Sequence, residues 1–97
     1  MESIKIFISG DFAPRLRVRD CILRGDYKLL YNDMLEIIRQ TDYAITNLES
    51  PLTNTATPIR KTGPNLIAPT KSVEALKYVP FNLVTLANNH AMDQGKQ

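Results

Sequence analysis

Three short strings carry the residues of this chain that can do chemistry: Gly10-Asp11, Asn47-Leu48-Glu49 and Asn88-Asn89-His90. Each closes a run rich in β-branched, aromatic or aliphatic residues, so each polar string sits where a strand ends. Carboxylate and amide oxygens with one imidazole nitrogen suit a hard or borderline divalent ion such as Mn, Fe, Mg or Zn, not a soft one. Every member has a plainer reading by itself. An Asp after a strand caps or turns, an Asn-Asn pair accepts left-handed backbone, a loop Glu is solvated, and a lone His is a satisfied surface group. The recurrence at three successive strand ends points to a site made of Asp11, Glu49, Asn89 and His90, with Asn47 beside them.

The elements that must position these residues follow from the spacing. Residues 4–9 read as a buried strand stopped by Gly10-Asp11. Residues 18–24 read as a short helix closed by Gly25. Over 30–40, Leu30, Met34, Ile37 and Ile38 recur at helical spacing and predict an amphipathic helix. Residues 43–46 form a second strand. Residues 50–69 hold Pro51, Pro58, Pro64, Pro69 and Gly63 and predict a long loop, functional or mobile. Thr70 is expected to cap a helix running to Tyr78, with Val73 and Leu76 inward and Pro80 closing it. Residues 82–87 form the third strand. The expected fold is α/β: a three-stranded parallel β-α-β-α-β layer whose crossovers bring the three strand ends to one edge. In open parallel sheets, ligands bind beyond that edge.

Composition narrows the function classes. The chain has 97 residues, and Lys+Arg 12 against Asp+Glu 10 gives a net charge of +2, too balanced to argue for nucleic acid or an anionic membrane. Arg15, Arg17, Arg19 and Arg24 read as a solvated face. No apolar run approaches the ~18 residues of a membrane span. Met1-Glu2 leads straight into the first strand, with no secretory leader, so a cytoplasmic location is expected. Cys21 is the only cysteine and His90 the only histidine. A disulfide framework, a Cys-based zinc site and Cys-His catalysis are therefore excluded within this chain. Cys21 reads as a small buried hydrophobe. Gly10-Asp11-Phe12-Ala13-Pro14 lacks a Gly-x-Gly-x-x-Gly phosphate loop, which disfavours a nucleotide-binding half-domain.

Four segments together carry a resemblance: Gly10-Asp11-Phe12, Asn47-Leu48-Glu49-Ser50-Pro51-Leu52-Thr53, Lys61-Thr62-Gly63-Pro64-Asn65-Leu66 and Ala87-Asn88-Asn89-His90-Ala91-Met92-Asp93. In that order and spacing the chain resembles the bacterial capsule-synthesis CapA family, associated with poly-γ-glutamate production and part of the calcineurin-like metallophosphoesterase superfamily. The resemblance implies the N-terminal half of an α/β/β/α sandwich. It implies Asp11, Glu49 and Asn89 as metal ligands, Asn47 as a further one, and His90 as general acid or transition-state stabiliser. Asp93 with Gly95 would form the turn behind His90. No residue is expected to bind an organic cofactor. Two divalent ions would serve the complete protein, and the substrate would be a phosphoester or polymer-related small molecule. Phe12-Ala13 stands where the superfamily often has Asp-x-His, and Gln94 where the family often has Tyr. The string ends at Gln97, so residues 1–97 are expected to be a partial domain, inactive alone, that self-associates through an exposed sheet edge. The second expectation, of another class, is a non-catalytic assembly or scaffold component of an envelope-polymer machine.

Overall fold

A computed structural model describes residues 3–95. The elements run β1 (Ile6–Phe12), α1 (Leu16–Arg24), α2 (Tyr27–Tyr31), α3 (Met34–Arg39), β2 (Tyr43–Leu48), α4 (Ser72–Tyr78) and β3 (Leu83–Thr85). The three strands form one sheet in the order β1-β2-β3, and both pairings are parallel. The expected α/β layer is the observed one. No helix among the described residues is long and apolar enough to cross a membrane.

The strand order has a direct physical consequence. Parallel crossovers are right-handed in about 98% of cases. Two successive steps in the same direction therefore place both crossovers on the same face of the sheet. The core agrees: Ile38 of α3 and Val79, just past α4, pack with Ala44 of β2, joined by Phe7, Tyr31, Leu35 and Phe81. The Tyr31 hydroxyl donates to the Ala75 carbonyl at 2.6 Å, and burial together with the nearby Tyr27 raises its ionisation well above the usual range. Arg39 ties α3 to the end of α4 through the carbonyls of Val79 (3.0 Å) and Tyr78 (2.6 Å). On the other face, Ile6, Ile8, Tyr43 and Leu83 stay exposed.

β1 carries one irregularity that matters for the site. Ile8 pairs with Ile45, whereas Asp11 pairs with Asn47: three steps along β1 for two along β2. An extra residue reverses the alternation of side chains. Ile6 and Ile8 point to the open face, Ser9 points back and bonds Thr46 at 2.6 Å, and Asp11 returns to the open face opposite Asn47.

The helices depart from expectation in two places. The stretch over 30–40 is two helices, because Asn32 adopts φ 53, ψ −135 between them. The break resets the helical phase, so Leu35 and Ile38 pack inward while Met34 and Ile37 are exposed. A side chain at that φ/ψ is strained, and glycine adopts it freely. Asn32→Gly is expected to raise stability by about 1 kcal/mol in urea unfolding; a loss would show that the Asn32 side chain supports the turn. α4 starts at Ser72, and Thr70 does not cap it. Thr70 instead exchanges two hydrogen bonds with Asn54, at 2.9 and 3.1 Å. Ser72, Ala75 and Leu76 form the buried stripe, which at 3.6 residues per turn leaves Val73 outside it, 39% exposed. Gly25 closes α1 as expected, at φ 72, its N–H reaching the carbonyls of Cys21 and Ile22. Cys21 is fully buried.

Candidate functional site

The carboxyl ends of the strands hold two polar groupings. The first is a row across all three strands. Thr85 Oγ1 donates to Asn47 Oδ1 at 2.9 Å, and Asn47 Nδ2 donates to Asp11 Oδ1 at 2.7 Å. The row exists because the β1 bulge brings Asp11 level with Asn47, and Asn47 is level with Thr85. The amide of Asn47 is committed at both ends, so it fixes the aim of the Asp11 carboxylate and leaves the second Asp11 oxygen free.

The second grouping is built on the turn after β3. Asn88 fixes that turn: its amide nitrogen donates to the carbonyls of Leu48 and Leu86, and its oxygen accepts from the His90 N–H at 2.9 Å. His90 Nδ1 meets Asp93 Oδ2 at 2.6 Å. An ionised carboxylate only accepts, so Nδ1 carries the proton and Nε2 of the neutral ring keeps its lone pair. Nε2 faces Glu49 Oε1 at 3.6 Å. Asn89 is exposed beside them.

Asp93 is the anchor of this grouping. It is 1% exposed and also accepts from the Lys61 ammonium and from the Leu66 N–H, each at 2.5 Å. Burial by itself pushes the carboxyl up. The Lys61 ammonium, the Leu66 N–H and the His90 ring outweigh it and hold the group at about 2, below its ordinary 3.8. Gln94, beside it and 4% exposed, accepts from the Thr57 N–H at 2.7 Å and donates to the Leu66 carbonyl at 2.9 Å. The proline-rich loop is thus strapped to the His90 turn from two adjacent residues. Its base is closed by a bridge between Leu52 and Ala68.

Asp11, Asn47, Glu49, Asn89 and His90 all lie at one edge of the sheet. Spacing along the strands foretold that placement for Asp11, Glu49, Asn89 and His90. Thr85 and Lys61 were missed. Thr85 carried a weak signal, as a hydroxyl at an alternating position just before the third polar string. Lys61 opens one of the four segments that carry the resemblance but was given no role, because its partner lies 32 residues away.

Two carboxylates, two amides and an imidazole nitrogen match the preferences of a divalent ion. The geometry supplies them as neighbours in pairs, Asp11 with Asn47 and Glu49 with His90. Among the described residues, no three His, Cys, Asp or Glu side chains are grouped to hold a metal ion. An apolar hollow near this edge, about 310 Å³, is lined by Leu48, Ser50, Leu52 and Leu86 among others. Leu48 and Ser50 alternate with Glu49 along the chain, so the hollow opens on the opposite face from the Glu49 carboxylate.

Compared with known proteins, the chain matches over residues 5–97 the sequence model of a family described as bacterial capsule synthesis protein PGA_cap. No curated protein matches it significantly.

Proposed function

This chain belongs to the bacterial capsule synthesis protein family, and from that premise we propose that its strand edge is a metal-dependent phosphoesterase-type site acting in capsule or poly-γ-glutamate biosynthesis. The observation that carries the reading is the His90 ring held through Nδ1 by a buried carboxylate, with Nε2 turned to Glu49 at 3.6 Å. Such a ring is oriented to hand a proton to, or take one from, a group placed at Nε2.

Asp11 and Glu49 are the anionic ligands in this reading, Asn89 the exposed neutral one, and Asn47 the residue that aims Asp11. A divalent ion bound there would neutralise charge developing on a phosphoryl group. The chain's own residues do the rest. Asp93 holds the ring through Nδ1, and in the imidazolium form His90 gives its Nε2 proton to the leaving oxygen and is left as the neutral Nδ1–H ring. Lys61 compensates the charge of Asp93, so the carboxylate stays ionised next to the ring. The substrate class is a phosphoester or a polymer-related small molecule.

Calorimetric titration with Mn²⁺ tests the metal half of the reading, and release of phosphate or phenol from aryl phosphate mono- and diesters tests the chemical half. Asp11→Asn and Glu49→Gln are each expected to weaken Mn²⁺ binding by at least about 10–100-fold, the scale seen when the partners behind a metal's ligands are changed. Failure to take up Mn²⁺, Mg²⁺, Zn²⁺ or Fe²⁺ together with no turnover would sink it.

One observation favours a second reading, a non-catalytic assembly component of an envelope-polymer machine: no three ionisable ligands are grouped among the described residues. On that reading Asp11, Asn47 and Thr85 are a structural row, and substituting His90 leaves any polymer phenotype unchanged.

A further inference from the structure

Arg15, Arg17, Arg19 and Arg24 read from the sequence as a solvated face, and the function argued above makes no use of them. Folding sets leucines among them. On α1, Cys21 and Ile22 form the buried pole. Leu16 and Leu23 stand on the opposite pole, 81 and 44% exposed, and their spacing is close to two helical turns. Arg19 lies about 40° to one side of Leu23, and Arg24 and Arg17 about 100–120° to the other. Leu29, also 44% exposed, carries the apolar surface onto α2, where its carbonyl accepts from the Arg17 guanidinium. Leu16 keeps its outward place at φ 49, a backbone that costs a leucine energy and persists only where the surroundings enforce it.

The charge of this face is one-sided. Residues 15–28 carry five cations and two acids, a surplus of three in a chain whose net charge is +2. Of the two acids, Asp26 is spent on capping α2 through the Leu29 N–H. Among the described residues every ion pair lies at the His90 turn, so no described carboxylate neutralises the five cations. Lys71 adds a sixth at the end of α1, donating to the Leu23 carbonyl at 3.1 Å. Beside Arg19 opens a cleft of about 180 Å³, lined also by Leu23, Thr53, Asn54, Ile67 and Pro69. The Asn54 amide is committed to Thr70 at both ends, which leaves Arg19 as the charged donor of a hollow walled largely by carbon.

We infer that this face of α1 docks on an anionic lipid surface. Leu16 and Leu23 enter the boundary between headgroups and acyl chains, and Arg19 holds a lipid phosphate at the mouth of the cleft. Charge and apolar pattern select that occupant together. Unpaired arginines attract anionic headgroups, and their long stems let the guanidinium stay in the wet layer while the leucines go deeper. A soluble acidic polymer would satisfy the arginines equally well, but it offers Leu16 and Leu23 no apolar medium in exchange for water. The contact is peripheral, one helix face resting on the surface. Its geometry is independent of the sheet's uncovered side, since the pole of α1 opposite the leucines is already buried by the described residues.

Vesicles of two parts phosphatidylcholine to one part phosphatidylglycerol are expected to carry this chain into the pellet, and vesicles of phosphatidylcholine alone are not. Arg19→Gln and Arg24→Gln should each weaken the partition about 5-fold, the share of one basic residue near an anionic surface. Leu16→Asn should weaken it about 10-fold or more through lost apolar burial. Asparagine adopts the φ of 49 more readily than leucine does, so the far-ultraviolet circular dichroism should not change. Depth is read from Leu16→Trp, because the wild type has no tryptophan. Its emission should shift to the blue on the mixed vesicles and stay in place with soluble polyglutamate. No uptake by the mixed vesicles, uptake that survives both Leu16→Asn and Arg19→Gln, or an unshifted tryptophan at the vesicle would each overturn the proposal. So would binding of soluble polyglutamate that displaces the vesicles and is indifferent to Leu16→Asn, which would assign the face to an acidic polymer. None of these outcomes depends on metal uptake or turnover.

Discussion

Asp93→Asn is expected to be the most damaging polar substitution in the chain, and to remove a specific limb of its acid sensitivity. One carboxylate serves three donors at once: Lys61, Leu66 and His90. An amide in its place offers one oxygen and one NH₂. Whichever way it turns, at least one donor faces another donor, and the Lys61 ammonium loses its counter-ion in a largely buried place. The loop then loses Lys61 and Leu66 together, and the His90 ring loses the contact that fixes its proton. The pH dependence separates this from general loosening. The carboxyl is near 3.8 when free and about 2 in the fold. A depressed folded value means the stabilisation is complete above about pH 4 and drains away as pH falls through about 2. Urea unfolding between pH 7 and 2 should show the wild type falling between pH 4 and 2. The variant should start lower and lack that part of the slope. Parallel curves would mean that Asp93 is not the titrating strap.

His90→Ala is expected to reduce phosphoester turnover by about 10²–10⁴-fold, the usual contribution of a positioned acid or base, while metal uptake persists. The loss should sit in kcat, because the ring acts on the leaving oxygen and does not hold the substrate. The side chain is 12% exposed, and its removal leaves Asp93 bonded to Lys61 and Leu66, so the fold should survive. Comparing it with Asp93→Asn divides the two roles. The histidine variant loses chemistry and keeps the loop, whereas the aspartate variant loses both. Turnover that is indifferent to His90 would take the acid–base role from the ring, and the absence of any turnover would move the chain to the non-catalytic reading.

The parts of this structure that were legible in the sequence are those set by local chemistry. Alternation and β-branching marked the three strands, Gly25 marked the end of α1, and the polar strings after the strands marked the edge where the candidate residues lie. Where two local signals competed, the weaker-looking one prevailed. Leu30, Met34, Ile37 and Ile38 kept a helical period across Asn32-Asp33, but the turn chemistry of that dipeptide broke the helix and handed the inward positions to Leu35 and Ile38. Val73 was misplaced because the buried stripe of α4 is centred on Ser72, Ala75 and Leu76, and the small side chains of the serine and the alanine gave no apolar signal to set the phase. The strap from Asp93 and Gln94 to the proline-rich loop was not legible at all. It joins residues about 30 positions apart with no period or spacing to announce them, and only the folded chain brings a lysine of one loop onto the carboxylate of another.

The extra residue in β1 makes the strand's length a variable as consequential as its composition. Gly10 meets no neighbouring atom within 4 Å where a Cβ would stand, so its identity is open to substitution by an alanine. Its accommodation as a bulge is what matters: in a strand of the same length without the bulge, strict alternation would carry the Asp11 carboxylate through the sheet to the helix side, away from Asn47. For this strand a single-codon deletion and a missense change are different kinds of event. The first irons out the bulge and keeps the acid on the side of Asn47, an insertion would turn it to the helix side, and the second merely alters a turn. Point-substitution scans alone would therefore overlook how the acidic end of this edge is encoded, which a tally of insertions and deletions between residues 8 and 11 would reveal.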